Sequence, residues 1–168
     1  MTFLYSTAAL AGAPVQSRAI SVLLDAGMVP IELGDLPGNL SEPIAQIGAA
    51  HAAFLPDGPG RPNLASSDDD VRKGSVRAVC EALSRCEWLN IRYYGIPAGW
   101  NLTRTVLGDG TPSGAAGSRP HAVAQLKRSL DELANFAADR RLAIGVANML
   151  PDHGGMLTSR AEIREVVG

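Results

Sequence analysis

The stretch Leu142 to Pro151, LAIGVANMLP, constrains the fold more than any other. Apolar residues run without a break to Ala147 and stop at Asn148. The chain then turns polar and glycine-rich through Asp152, His153, Gly154 and Gly155. A strand covered on both faces reads as a continuous apolar run, whereas a half-solvated antiparallel strand alternates. The run therefore predicts a buried parallel strand that delivers Asn148 to a site at its C-terminal end. Position 147, just before Asn148, is alanine and brings no functional group.

The rest of the chain supplies the layers that such a strand needs. Phe3–Ser6 reads as a first strand. A helix follows, with Pro14 in its first turn, Val15, Ala19, Ile20, Leu23 and Leu24 on one face, and Gly27 at its end. Val29–Leu33 (VPIEL) reads as a second strand, Leu40–Ile47 as a short helix with Ser41 at its cap, and Gly48–Leu55 as a third strand running into a loop at Pro56–Pro62. Ser66 or Ser67 would cap a long helix whose first turn carries Asp68, Asp69 and Asp70, acids that complement the positive end of the helix dipole. Val71, Val76, Val79, Cys80 and Leu83 continue it. Trp88–Tyr94 (WLNIRYY) reads as the fourth strand. Its loop runs through Gly95, Pro97 and Gly99 to a glycine-rich segment, Gly108–Gly117. Pro120 opens another helix, with Val123, Leu126, Leu130, Leu133, Phe136 and Ala137 on its apolar face. Leu142–Val146 is the fifth strand, and Ser159 caps a last helix, Arg160–Val167. This alternation predicts an α/β domain spanning residues 1–168, built on a parallel sheet with right-handed crossovers.

Composition narrows the function classes. The 168 residues are 46% hydrophobic and 19% charged, enough for one domain with a real core. A net charge of -2 and a pI of about 5.9 give no electrostatic case for nucleic acid or an anionic membrane. No apolar run approaches the ~20 residues of a membrane span. Cys80 and Cys86 fall on different faces of one helix and read as free thiols, which suits a reducing, cytoplasmic setting. GDGTPSG (Gly108–Gly114) lacks the lysine of a phosphate-binding loop, and the chain has no dinucleotide fingerprint and no Ser-His-Asp arrangement.

Three segments carry a family resemblance: SVLLDAGMVPIEL (Ser21–Leu33), NLASSDDDVRKGSV (Asn63–Val76) and LKRSLDELANFAADRRLAIGVANM (Leu126–Met149). In order and local wording they resemble the xylose isomerase-like TIM barrels, which include sugar isomerases, sugar epimerases and the endonuclease IV type of DNA-repair enzyme. The resemblance implies a partial TIM barrel of about five strands, binding a sugar or polyol at the strands' C-terminal ends. It also implies a divalent metal held by His, Glu and Asp, which polarises a carbonyl and eases proton or hydride shifts. The residues do not follow that implication. The family's His-Pro-x-Gly appears here as Ile96-Pro97-Ala98-Gly99, and its Glu-Asn as Ala147-Asn148. His51 alone remains of the histidine and carboxylate set, so neither a metal nor another cofactor is expected.

The remaining candidates are Glu32 and His51 as acid–base groups, and Arg92, Trp100 and Asn148 as substrate contacts. Glu32 reads either as a base or as an internal ion-pair partner of Arg92. Arg92 reads either as a fork for a carboxylate or phosphate or as a structural ion. Trp100, taken as an exposed loop residue, would stack on a sugar ring. Asp152 and His153 read as a couple or as a turn, and His121 as solvated. Five strand–helix units do not close an eight-stranded barrel, so a homo-oligomer or a complementing partner chain is expected. Two other readings stay open: a non-catalytic binding or interaction subunit, and an open flavodoxin-like sheet holding flavin phosphate in the loop Ser6–Pro14.

Overall fold

The computed structural model describes residues 4–10, 15–38, 40–56, 61–102, 116–149 and 154–168. Five strands form one sheet: β1 (Tyr5–Ser6), β2 (Ile31–Leu33), β3 (Ile47–His51), β4 (Tyr93–Pro97) and β5 (Ala143–Ala147). Every pairing is parallel, and the spatial order is the chain order, β1-β2-β3-β4-β5. Four helices accompany them: α1 (Gln16–Asp25), α2 (Asp69–Trp88), α3 (Arg119–Ala138) and α4 (Arg160–Val167). Strands added in one direction coil a sheet as an open part of a barrel. A flavodoxin-like sheet reverses direction at its first strand, so the sequential order overturns that reading.

Parallel register places partnered residues on the same face. Ile31, Leu33, Ala50, Tyr94 and Ile96 point toward the helices and are fully buried against Ile20, Leu23, Val79, Leu83, Leu126 and Leu133. The Tyr94 hydroxyl lies in this layer and donates to the Ala53 carbonyl at 2.7 Å. Burial drives its acidity far below that of a free phenol, so it stays protonated as a structural donor. The other face carries Ser6, Glu32, Ala49 and His51, then Tyr93, Gly95 and Pro97, then Ala143, Gly145 and Ala147. Two glycines there take a ring from the preceding strand. A Cβ on Gly95 would lie 2.5 Å from His51 Cδ2, and one on Gly145 would overlap the Tyr93 hydroxyl. Both imidazole and phenol thus rest on bare backbone.

Three helices end in the same way. After α1, Gly27 takes a positive φ, its N–H reaches the Leu24 carbonyl and the Met28 N–H reaches Leu23. After α2, Asn90 does the same, with Asn90 N–H on Glu87 and Ile91 N–H on Cys86. After α3 the residue is Arg141, with its own N–H on Ala138 and that of Leu142 on Ala137. Each is a left-handed closure that satisfies the last free carbonyls and aims the chain into the next strand. Asn90 explains why the expected fourth strand lies elsewhere: Trp88 and Leu89 complete α2, and β4 begins only at Tyr93.

Other boundaries shift for local reasons. The helix expected over Leu40–Ile47 does not form. A segment that short bears a nucleation cost it cannot recover, and Ile47 is taken by pairing with Ile31. β3 stops at His51, because Ala52 and Phe54 adopt positive φ and turn the chain away. Asp68, not a serine, caps α2, its carboxylate accepting from the N–H groups of Asp70 (3.0 Å) and Val71 (3.2 Å). Cys80 and Cys86 are free thiols, half-buried and buried. Phe3, Pro14, Gly108–Gly114, Asp152 and His153 lie outside the described residues. Among the described residues no helix is long and apolar enough to cross a membrane.

α4 is tied to α3 by one ion pair. The Arg119 fork grips Glu162 through Nε on Oε1 and Nη2 on Oε2 (2.7 Å). Glu162 also accepts from the Thr158 N–H at 3.0 Å. The hydrogen bonds from Arg119, then that from Thr158, hold the Glu162 carboxyl below its ordinary value of 4.5. A depressed folded value gives stability that is present above the unfolded value and lost as pH falls through the folded one. Glu162→Gln should therefore lower stability at neutral pH by about 1–2 kcal/mol, with the deficit closing as the pH drops below ~4. Urea denaturation of both proteins across that range measures it. A deficit independent of pH would show that the pair's charge contributes nothing.

Candidate functional site at the C-terminal ends of the strands

Residues just past the ends of parallel strands converge because the strands share one direction. Here they enclose a cavity of about 290 Å³. Its floor is the end of the sheet: His51 from β3, Pro97 from β4 and Ala147 from β5. Its sides are Ala8 and Asp35, from the loops after β1 and β2, with Arg61, Trp100 and Asn148 from the later loops. Asp35 and Arg61 form an ion pair across the mouth.

The first loops are pinned by Gly34. Its N–H donates to the buried Thr7 hydroxyl at 2.8 Å, and its carbonyl accepts from the buried Gln16 amide at 2.9 Å. A Cβ on Gly34 would lie 2.5 Å from the Ala8 Cβ, so only glycine lets β2 leave the sheet this close to β1. The later loops are pinned by Asn63, which is fully buried. Its Oδ1 accepts from the N–H groups of Trp100 (2.9 Å) and Ala65 (3.3 Å), its Nδ2 donates to the Leu102 carbonyl (3.3 Å), and its own N–H donates to the Ser75 hydroxyl (2.8 Å). Gly99, at φ +92°, would place a Cβ 2.5 Å from that Oδ1.

His51 is the sharpest feature. Its ring lies over Gly95 at the cavity wall, and its Nε2 is buried without a hydrogen-bond partner. A buried nitrogen left unpaired costs free energy unless something binds it.

Three of the five sequence candidates meet at this cavity: His51, Trp100 and Asn148. Glu32 lies on the same face, one strand away and half-buried. It pairs with Ala49, two residues before His51, which puts the two Cα atoms about 8 Å apart from strand spacing and rise. Arg92 is elsewhere. It precedes β4 at the opposite end of the sheet, exposed, with Nη2 donating to Asn90 Oδ1 at 2.6 Å, so it is not the ion-pair partner of Glu32. The expectation placed Arg92 inside a strand that begins one residue later. Trp100 is not an exposed loop residue: it is 8% exposed and packs with Leu102 and Met149. His121 is an exposed residue on α3, 3.5 Å from the Gln125 amide. Asp35 and Arg61 went unread. Asp35 follows the second strand almost directly, where a barrel site draws its residues, and that rule was the available signal. Arg61 sits in a loop that offers no such signal.

The donor set does not fit a metal centre. Among the described residues no three His, Cys, Asp or Glu side chains come together. Ile96 points into the helix layer, and Ala147 has nothing to offer.

No family profile and no curated protein matches the chain in sequence. Solved structures do match in shape. A D-tagatose 3-epimerase-like protein superposes at a TM-score of 0.73 with 17% identity, over 99% of this chain and 60% of its own. An L-ribulose 3-epimerase gives 0.67 and 15%, over 99% and 57%. Endonuclease IV from Thermus thermophilus gives 0.58 and 16%, over 99% and 58%.

Asn63 gives a direct test of how the cavity is held. Asn63→Ala leaves the Trp100 and Ala65 N–H groups and the Leu102 carbonyl without a side-chain partner, so stability should fall by about 2–3 kcal/mol. In a Trp88→Phe background only Trp100 emits, and its fluorescence should shift to the red as its loop loosens. An unmoved emission maximum would mean that Asn63 does not position Trp100. From strand order, register and these superpositions, the chain has the fold of part of a parallel α/β barrel, five parallel strands with four α-helices among the described residues, and it spans about three fifths of the length of the epimerases it resembles.

Proposed function

We propose that the chain binds a small polyhydroxylated molecule, a sugar or polyol, in the cavity at the C-terminal ends of β3, β4 and β5. The observation that carries this reading is His51, which lines that cavity and whose buried Nε2 has no hydrogen-bond partner. A ligand hydroxyl supplies the missing hydrogen bond. The apolar sides of Trp100 and Pro97 suit the C–H face of a sugar, and the exposed Asn148 amide offers both a donor and an acceptor. Several structural neighbours are sugar 3-epimerases by name, which agrees with this ligand class.

Any reaction on this site is proton transfer without a metal. One of His51 and Glu32 takes a proton from a carbon next to a carbonyl, leaving an enediolate, and a proton returned to that carbon on its other face by the second residue inverts it. Ala147 favours a second reading. The end of β5 faces the cavity with a methyl group and no acid or base, as in a binding protein that performs no chemistry.

The experiment is ligand binding followed by proton exchange. A neutral ketohexose such as D-tagatose should raise the melting temperature of the wild type. His51→Ala should weaken that binding about tenfold, the value of one lost hydrogen bond to a buried partner, while its unliganded stability stays close to wild type. In D₂O the wild type should exchange a carbon-bound proton of the ketose, and Glu32→Gln/His51→Ala should not. Binding without exchange selects the non-catalytic reading. Equal binding by His51→Ala overturns the site itself.

A further inference from the structure

The cavity carries two opposite charges, and they face each other. Among the described residues that line it, Asp35 is the one carboxylate and Arg61 the one guanidinium. Arg61 Nη2 donates to Asp35 Oδ2. The local chain explains why they meet. Asp35 directly follows Gly34, which Thr7 and Gln16 hold from both sides. The Leu36 N–H then turns back to the Gly34 carbonyl at 3.0 Å. Arg61 precedes Pro62, whose ring favours an extended backbone at Arg61, and Pro62 leads into the buried Asn63. Each charge therefore sits beside an anchored residue.

As a brace the pair contributes little. The Arg61 and Asp35 side chains are 35% and 36% exposed, and ion pairs this wet add little to stability. What the pair changes is the charge that a ligand meets. A free guanidinium in the wall of a small cavity clamps carboxylates and phosphates, because its planar fork matches two oxygens. Here Asp35 already takes one arm of that fork and cancels its charge. An anionic ligand must displace a tethered carboxylate, which is present at high effective concentration, and then lie beside it. It also gives up its own hydration with no net counter-charge to replace it. An uncharged polyol meets neither cost. The neighbouring His51, Trp100, Pro97 and Asn148 offer hydrogen bonds and apolar contact suited to hydroxyls and C–H faces.

We propose that Asp35 is a specificity-determining residue: by engaging Arg61 it bars phosphate esters and sugar acids from the cavity and leaves it to uncharged sugars or polyols. The proposal rests on the sugar-binding reading above. Selection of this kind works through a cost imposed on the wrong ligand, so deleting the carboxylate turns the same arginine into an anion clamp.

Isothermal titration of the full chain with D-tagatose, D-tagatose 6-phosphate and inorganic phosphate, at low ionic strength, tests it. The wild type should bind the ester at least about tenfold more weakly than the neutral ketose and should not capture inorganic phosphate. Asp35→Asn should raise the ester-to-ketose affinity ratio at least about tenfold and should capture inorganic phosphate. Asp35→Asn/Arg61→Gln should lose both gains, and Asp35→Glu, which restores the carboxylate, should keep the wild-type order. Asp35→Ser repeats the test should the amide disturb the fold, which circular dichroism reads. A wild type that binds the ester as tightly as the ketose overturns the proposal. So does a folded Asp35→Asn that keeps the wild-type ratio or ignores inorganic phosphate. If no sugar binds the wild type, the sugar-binding reading falls, and the inorganic phosphate arm then decides whether Asp35 withholds Arg61 from anions.

Discussion

The candidate site depends on how closely β3, β4 and β5 present their backbones on the face turned away from the helices. Parallel strands lie about 4.8 Å apart, too close for bulky side chains at every paired position. Here Gly95 and Gly145 leave the space, and the His51 and Tyr93 rings fill it. This contact fixes the imidazole at the cavity wall without a hydrogen bond to hold it. Its Nε2 is left without a hydrogen-bond partner. The glycines therefore have a stereochemical role that neither their conformational freedom nor their place in a turn would suggest.

The surrounding loops are set by buried amides rather than by the sheet. Gly34 is clamped between Thr7 and Gln16, and Trp100 hangs from Asn63. Both anchors join segments far apart in the chain. The polar groups between α2 and α3 work in the same way. Arg72, almost fully buried, donates to Ser129 (3.3 Å) and Glu132 (3.1 Å), and the Ser129 hydroxyl donates to the Leu64 carbonyl at 2.8 Å. An ion buried this deeply is offset by these hydrogen bonds and by the Asp69 carboxylate 3.6 Å from its Nε, which itself makes no hydrogen bond.

Much of the fold was legible in the chain. The apolar run ending at Asn148 marked β5, which is parallel as expected but half-exposed rather than buried, Ser159 marked the start of α4, and Gly27 marked the end of α1. What stayed hidden was non-local. Trp88 and Leu89 carry strand-like side chains yet finish a helix, because Asn90 takes the left-handed conformation usually given to glycine. Arg92 was misplaced by the same error. Trp100 looked exposed because a loop residue is read as surface until its hydrogen bond to Asn63, 37 positions away, is known. His51 and Asn148 were readable as site residues because both fall where a strand ends. The same rule reaches Asp35, just past β2, but not its partner Arg61, since an ion pair between two loops leaves no periodic trace.

The most direct measurement is the nitrogen-15 chemical shift of His51 Nε2 during titration with a neutral ketohexose, with the exposed His121 on α3 as internal control. The account predicts a saturable shift at His51 that tracks occupancy and leaves the His121 ring unmoved. Saturable binding that leaves His51 unchanged would contradict it.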